Sequence, residues 1–341
     1  MNNTMPELDE WSRLYQAAIH IKEMVPWQWM SEIDIFGVRN PETGEIGYIS
    51  IMGALGEHYA VAVYLGSQGL YRFLGFQDPE PDTAAEDLLA IPHLQASFED
   101  RSQLTQRDRD VIKTLGLKFR GRQAWPLFRS YRPGYFPWHL EAEEVRYLTH
   151  ALEQTADVAP RFGEDPGILT PGDEESCLVR VSRGGEPPVW EDQVVQVLPP
   201  EPTMISVAMD VDALRTLMAA SRRVASIEVD LFMFPARIGE RGDRPSYAHT
   251  LLVVESASGI VLGSELLALD PDLESMYGKV PTTVVRLLAR TGIVPREVRV
   301  RSELLRQLME LLEEELGWRV VLSRQLPALD EAKTFLIQRF L

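Results

Sequence analysis

The chain has a single cysteine, Cys177, among 341 residues. No intrachain disulfide can form, so nothing in it requires an oxidising compartment. Long hydrophobic runs are also missing. The longest apolar stretches, such as YAVAVYL (59–65), are strand-sized and far short of the ~20 residues of a membrane helix. The opening MNNTMPELDEW has neither a basic segment nor an apolar core, so it does not read as a signal peptide. The expectation is a cytoplasmic protein without membrane contact. Basic charge is scarce: 34 Lys and Arg stand against 51 Asp and Glu, for a net charge of −17. A surface of that sign cannot coat nucleic acid or anionic lipid as a whole. A local basic patch remains open to it, because screening at physiological salt acts over only ~8 Å.

Catalytic signatures are missing too. The six histidines, His20, His58, His93, His139, His150 and His249, are scattered. There is no HExxH and no Cys/His cluster for zinc. No glycine-rich phosphate loop occurs, and no GxSxG elbow. His139 and Glu143 stand four apart at a helix start, with Tyr147 on the same face; packing or capping explains that spacing as readily as a site does. Cys177 sits inside the apolar strand pattern SCLVRVS and reads as buried packing rather than a nucleophile. No cofactor is expected from these residues.

What is present is a globular composition and a clear order of elements. Hydrophobic residues make up 45% and charged residues 25%, ordinary for a folded protein. The length suggests about two domains. Thr4 and Glu7 stand at capping-box spacing before a helix that Pro26 ends. IDIFGVRN, EIGYISIMG and YAVAVYLG follow as a β-meander, nearly apolar on both faces, which implies a sheet covered on both sides. SQGLYRFLG reads as a packed helix and DPEPDTAAED (78–87) as a solvated acidic loop. LQASFED suggests a strand, TQRDRDVIKTLG a short helix capped by Thr105, and EAEEVRYLTHALEQ a helix with acids in its first turn. SCLVRVS and DQVVQVL read as a hairpin. The segment 161–176 is a looser, second candidate boundary. The expected division is an α+β domain over 1–198, a proline linker over 199–203 and an α/β domain over 204–341.

Within the second part, the spacing predicts helix DVDALRTLMAAS and then strand SIEVDLFMFPARI. A hairpin turning at Ser258-Gly259 follows, and then a helix over 281–291. Strand REVRVRS, helix SELLRQLMELLEEELG, strand WRVVLSR and a final helix PALDEAKTFLIQRFL complete it. This β-β-β-α-β-α-β-α string resembles the RNase H-like fold over about residues 225–341. The resemblance is one of topology. It implies a test, because active members of that group hold two divalent metals with acids on the first strand, near the end of the fourth and at the last helix. Two Mg²⁺ ions ~3.5–4 Å apart need several carboxylate oxygens converging on one sheet edge. Here Asp230 falls in the first strand, and Asp330 and Glu331 open the last helix. The fourth strand offers Arg299 and Arg301, with Glu303 beyond. An arginine where a metal-binding acid belongs repels the ion. The set Asp230, Glu303, Asp330 and Glu331 is therefore incomplete, and the expectation is a scaffold that binds but does not cut. A metal-dependent nuclease or nucleic-acid-processing protein of RNase H-like type, with magnesium as its cofactor, is the alternative.

One stretch departs from the chain's acidity. From Val111 to Leu140 no acid occurs. Residues 116–140, GLKFRGRQAWPLFRSYRPGYFPWHL, thread Lys118, Arg120, Arg122, Arg129 and Arg132 through Trp125, Tyr131 and Trp138. Its prolines and glycines exclude a long helix or a long central strand. Two readings stand. In one, Arg120, Arg122, Trp125, Arg129, Tyr131, Arg132 and Trp138 form a binding surface, for a protein or peptide or for nucleic acid. In the other, the rings anchor an irregular segment and the arginines pair with internal acids. Together with NPETGEIGYISIMGALGEHYAVAVYLG, the stretch resembles bacterial two-domain proteins whose N-terminal domain of unknown function precedes an α/β module. That resemblance covers most of residues 8–197 and assigns no catalytic residue. The functional expectation is a non-catalytic binding protein.

Overall fold

The computed structural model of the chain describes residues 5–77, 90–170, 175–185, 188–240, 242–270 and 272–340. Thr4 and the acidic 78–87 loop lie outside the described residues. The chain divides into two compact units: 5–133 with 137–201, and Gly134–Phe136 with Pro202 onward.

The first unit opens with α1 (Leu8–Met24). Its cap is Glu7, which exchanges hydrogen bonds with Glu10 in a capping box. A Glu thus performs the capping expected of Thr4. Pro26 follows directly on Val25, whose left-handed backbone closes the helix. β1 (Phe36–Arg39), β2 (Ile46–Met52) and β3 (Ala60–Leu65) form the meander, and α2 (Gly66–Gln77) follows. β4 (His93–Glu99), α3 (Gln106–Thr114) and β5 (Trp125–Tyr131) come next. α4 (Ala142–Glu164) runs ten residues past the helix expected from sequence, carrying Pro160 inside it. Its apolar face continues through Val158, Ala159 and Phe162, all buried, and that packing holds the helix on through the proline. β6 (Ser176–Ser182) and β7 (Trp190–Gln196) form the expected hairpin.

These strands make one seven-stranded sheet in the order β5-β4-β3-β2-β1-β6-β7. All neighbours are antiparallel except β1 and β6. Side chains alternate between faces along each strand. Ile49, Ile51, Val61 and Val63 join the main core with α1 and α4. Tyr48, Ala62 and Tyr64 face the other way, against Leu70 and Phe73 of α2. The sheet is covered on both faces, as its uninterrupted apolar strands implied.

The second unit begins with α5 (Val211–Met218), capped by Asp210. β8 (Arg222–Ile238), β9 (Ser246–Glu255) and β10 (Val261–Leu267) form an antiparallel meander. α6 (Leu273–Gly278) and α7 (Val280–Thr291) lead to β11 (Ile293–Val300). α8 (Glu303–Glu310), α9 (Glu313–Leu316), β12 (Arg319–Leu322) and α10 (Pro327–Phe340) complete it. The single helix expected over 302–317 is broken at Leu311–Leu312. The sheet order is β10-β9-β8-β11-β12, with β11 parallel to both β8 and β12. The larger core joins Ile227, Val229, Leu251 and Val253 to α5, α7, α8 and α9. On the other face, Phe232, Leu252 and Val254 pack against Leu326 and Leu329 of the α10 region. Gly134–Phe136 belongs to this unit: Tyr135 bridges Ser246, and the Phe136 ring stacks on Tyr247 at 3.8 Å. Both units are therefore mixed α and β, as the pattern of the sequence predicts. Among the described residues, no helix is long and apolar enough to cross a membrane.

Candidate functional site

The basic aromatic stretch splits into two halves with different fates. Its first half is a loop between α3 and β5. Gly116 (φ 69), Gly121 (φ 99) and Gln123 (φ 47) take left-handed backbone there, which turns the chain tightly twice. Between the two glycines the side chains alternate. Leu117 and Phe119 point inward to the core, and Lys118 and Arg120 point to solvent. Phe119 lies against Tyr15 at 6.2 Å and Trp125 at 5.8 Å. Gln123 ties the loop down, its backbone N–H donating to Asp100 Oδ1 at 2.8 Å and its side chain to the Glu57 carbonyl at 2.8 Å. Arg122 is 92% exposed, and its nearest carboxylate is Asp100 at 3.9 Å. Lys118 and Arg120 form no ion pair among the described residues. Arg101 sets its guanidinium over the Trp125 ring at 5.8 Å. The result is a short loop with a fixed apolar base and outward cations.

In the second half, Gly134–Phe136 belongs to the second unit, and the sequence-predicted residues Arg129, Tyr131, Arg132 and Trp138 are bound up within the first. Arg129 makes two parallel bonds to Asp108, Nη1 to Oδ1 at 2.9 Å and Nη2 to Oδ2 at 2.7 Å. Both side chains are nearly buried, at 13% and 10% exposure. Asp108 is also the N3 residue of the α3 cap and accepts from the Thr105 N–H at 2.8 Å and hydroxyl at 2.6 Å. His139 Nδ1 stands 3.4 Å from Asp108 Oδ1. Burial alone would raise the Asp108 pKa. The hydrogen bonds from Arg129 and His139, with the Arg129 charge, more than reverse that and hold the carboxyl far below its usual range. Arg132 bonds Glu144 at 2.8 Å and lies 3.1 Å from Glu141. Tyr131 stacks on His93 at 4.0 Å, and Trp138 meets His139 edge-on at 5.3 Å.

This half also closes a sheet edge. β5 is the outer strand. Ser130 exchanges both backbone bonds with Trp138 on the side away from β4, at 2.9 and 3.0 Å. Even-numbered residues of β5 therefore aim their peptide groups outward. Pro126 has no N–H to offer there, and the Phe128 carbonyl accepts from Arg129 Nη1 at 2.7 Å. Proline, an arginine and a covering segment blunt an edge that would otherwise pair with any passing strand.

The acids of the second unit have a different geometry. Asp230 on β8 and Asp330 on α10 share one cation, Arg301, just beyond β11. Arg301 Nη2 donates to Asp330 Oδ1 at 2.6 Å, and Nη1 stands 3.6 Å from Asp230 Oδ2. Burial pushes the Asp230 carboxyl up to about 6, against the lowering effect of Arg301 and Lys333. Glu303 lies at the start of α8, exposed and bonded to Arg306. Glu331 is exposed on α10. Thus Asp230 and Asp330 come together, and Glu303 is engaged elsewhere. A guanidinium stands where a metal bound by Asp230 and Asp330 would have to sit. Among the described residues no group of three His, Cys, Asp or Glu is placed to hold a metal ion. The donor set does not fit magnesium, because Arg301 already bridges its two converging carboxylates.

Two residues went unnoticed in the sequence. Asp108 pairs with Arg129 and lies beside His139; the sequence pattern there marks only Thr105, as a helix cap. Glu228 is 1% exposed, and its Oε2 accepts the Leu329 N–H at 2.8 Å at the start of α10. Its partner lies 101 positions away in the chain, so no local pattern announces it. Cys177 is buried and its thiol is pushed up to about 12 by burial, which leaves it inert.

Comparison with known proteins finds a family model that matches a stretch of each unit. Residues 11–180 match the family described as Domain of unknown function (DUF7309), and residues 213–337 match Domain of unknown function (DUF6930). No curated protein and no solved structure matches the chain. The chain is a two-domain protein of mixed α and β structure, with one domain of unknown function in each half.

Proposed function

We propose that this is a non-catalytic cytoplasmic binding protein that captures an acidic protein or peptide on the 116–124 loop. Lys118, Arg120 and Arg122 supply the charge, and Arg101 with Trp125 forms the base. The observation that supports this reading is the outward display of those three cations on a loop fixed from beneath, in a chain of net charge −17. A preordered loop loses little conformational freedom on binding. Exposed arginines keep their planar forks available for carboxylates. Arg129, Arg132, Tyr131 and Trp138 then act as the platform, not as contacts. The nuclease reading has no comparable support, since Arg301 fills the place a metal would need.

Fluorescence anisotropy with a labelled deca-glutamate peptide tests the proposal. Binding should weaken as salt rises, and the Arg120→Glu/Arg122→Glu variant should lose affinity by about tenfold or more, ~1.4 kcal/mol. A labelled ten-residue oligothymidylate runs in parallel. Tighter binding of the oligonucleotide than of the peptide would overturn the choice of partner. Unchanged peptide affinity in the variant would overturn the choice of surface.

A further inference from the structure

Lys22, near the end of α1, points its ammonium into three aromatic rings. Nζ lies 5.0 Å from the Trp27 centroid, 4.4 Å from Tyr59 and 4.9 Å from Phe98. The rings also touch one another, with Trp27 at 4.7 Å from Tyr59 and 5.7 Å from Phe98. Trp27 and Phe98 are buried, while Lys22 and Tyr59 remain partly open to solvent. Gly53 makes the box possible. A Cβ there would stand 2.6 Å from the Tyr59 ring and 3.0 Å from Trp27, so any side chain would push both rings aside. No hydrogen-bond or ion-pair partner of Lys22 Nζ occurs among the described residues.

That combination is selective. Ring faces attract a cation through their quadrupoles. They accept no conventional hydrogen bond, so a primary ammonium entering the box gives up water on its N–H groups without replacement. A quaternary ammonium has no N–H groups to leave unsatisfied and presents methyl groups to the rings. Lys22 Nζ here stands in for such a cation. It sits on a flexible four-carbon stem, and the same stem can carry it out to water.

We propose that the Trp27–Tyr59–Phe98 box is a binding site for a methylated ammonium group, of the choline or trimethyl-lysine kind, held by Lys22 as an internal competitor. The ligand binds when Lys22 swings out, so the apparent affinity of the intact protein is reduced by the fraction of time the box is filled. The box uses no residue of the 116–124 loop, and neither proposal depends on the other.

Choline, free Nε-trimethyl-lysine and 3,3-dimethyl-1-butanol, the uncharged isostere of choline, are titrated against the wild type and Lys22→Ala by tryptophan fluorescence and calorimetry. Lys22→Ala should bind both cations at least about tenfold more tightly than the wild type does. It should prefer choline over the isostere by about tenfold, the size expected of a partly desolvated cation–π contact. The tighter of the two cations identifies the source of the methylated group. Tyr59→Leu in the Lys22→Ala background should abolish the gain; Tyr59 is at the open side of the box, and circular dichroism verifies that the variant folds. A folded Lys22→Ala protein that binds no cation saturably would overturn the proposal. So would equal affinity for choline and its isostere.

Discussion

The two halves of the 116–140 stretch share a composition and differ in every contact that matters. In the strand half, Arg129 meets an acid already fixed in a helix cap, and Arg132 meets the capping-box acid of α4. In the loop half, Lys118 and Arg120 pair with no acid among the described residues, and alternation with Leu117 and Phe119 turns them outward; Arg122 only approaches the half-exposed Asp100, at 3.9 Å, and is itself 92% exposed. Cation-rich sequence therefore becomes internal structure or an available surface according to whether a buried carboxylate lies within hydrogen-bond distance: Arg129 has one in Asp108, whereas Arg122 has only the half-exposed Asp100 at 3.9 Å. The aspartates of the two units extend the lesson. Asp108 receives two short guanidinium bonds and stays ionised. Asp230 has its arginine at 3.6 Å, shared with Asp330, and burial prevails. Proximity alone does not hold a buried charge; aligned donors do.

The largest expected effect comes from breaking the strand half. Asp108→Ala leaves Arg129 and His139 without their carboxylate and removes the N3 partner of the α3 cap. Urea denaturation should show a loss of about 3–5 kcal/mol, and the variant should also expose the β5 edge and aggregate more readily. A loss below about 1 kcal/mol would show that the pair is not the anchor described. The wild type carries the corresponding pH signature. The folded-state pKa of Asp108 lies below its unfolded value, so its contribution is present above about pH 4 and disappears as pH falls further.

Asp230 gives the opposite sign and a smaller effect. Its folded-state pKa, about 6, lies above its unfolded value. Its contribution is full below about pH 4 and is lost as pH rises through 6. Asp230→Asn should flatten that decline and raise stability at pH 7.5 by on the order of 2 kcal/mol. Chemical denaturation at a series of pH values measures it. A variant that keeps the wild-type slope between pH 4 and 6 would contradict the assignment.

The smallest effect on stability belongs to the loop half. Arg120→Glu/Arg122→Glu should shift the unfolding free energy by no more than about 0.5 kcal/mol, because neither side chain supports the core. A much larger loss would mean that the loop cations hold the fold, and the distinction between the halves would vanish.

Much of the fold is legible in the sequence because it rests on local periodicity. The apolar runs 46–52 and 60–65 give covered strands, and Ser302 gives the start of α8. Helix lengths are less legible. α4 passes through Pro160 because tertiary packing outweighs local propensity, and the 303–316 helix breaks inside a leucine-rich pattern that gives no sign of it. The candidate site is half legible. The absence of acids locates the stretch, but not which cations remain available. That depends on Asp108 and Glu144, 21 and 12 positions from their arginines. The ring box around Lys22 draws on residues 22, 27, 59 and 98, which only the packing of α1 and the turn after it on the β3 and β4 region brings together.

The claim that the loop binds and the strand supports is tested most directly by a side-by-side titration. Labelled deca-glutamate is added to the wild type, to Arg120→Glu/Arg122→Glu and to Arg132→Glu at one low salt concentration, with the folded fraction of each set by circular dichroism. The account predicts that only the loop variant loses affinity, by about tenfold or more, while folded Arg132→Glu stays within about twofold of the wild type. Equal losses in both variants, or none in the loop variant, would contradict it.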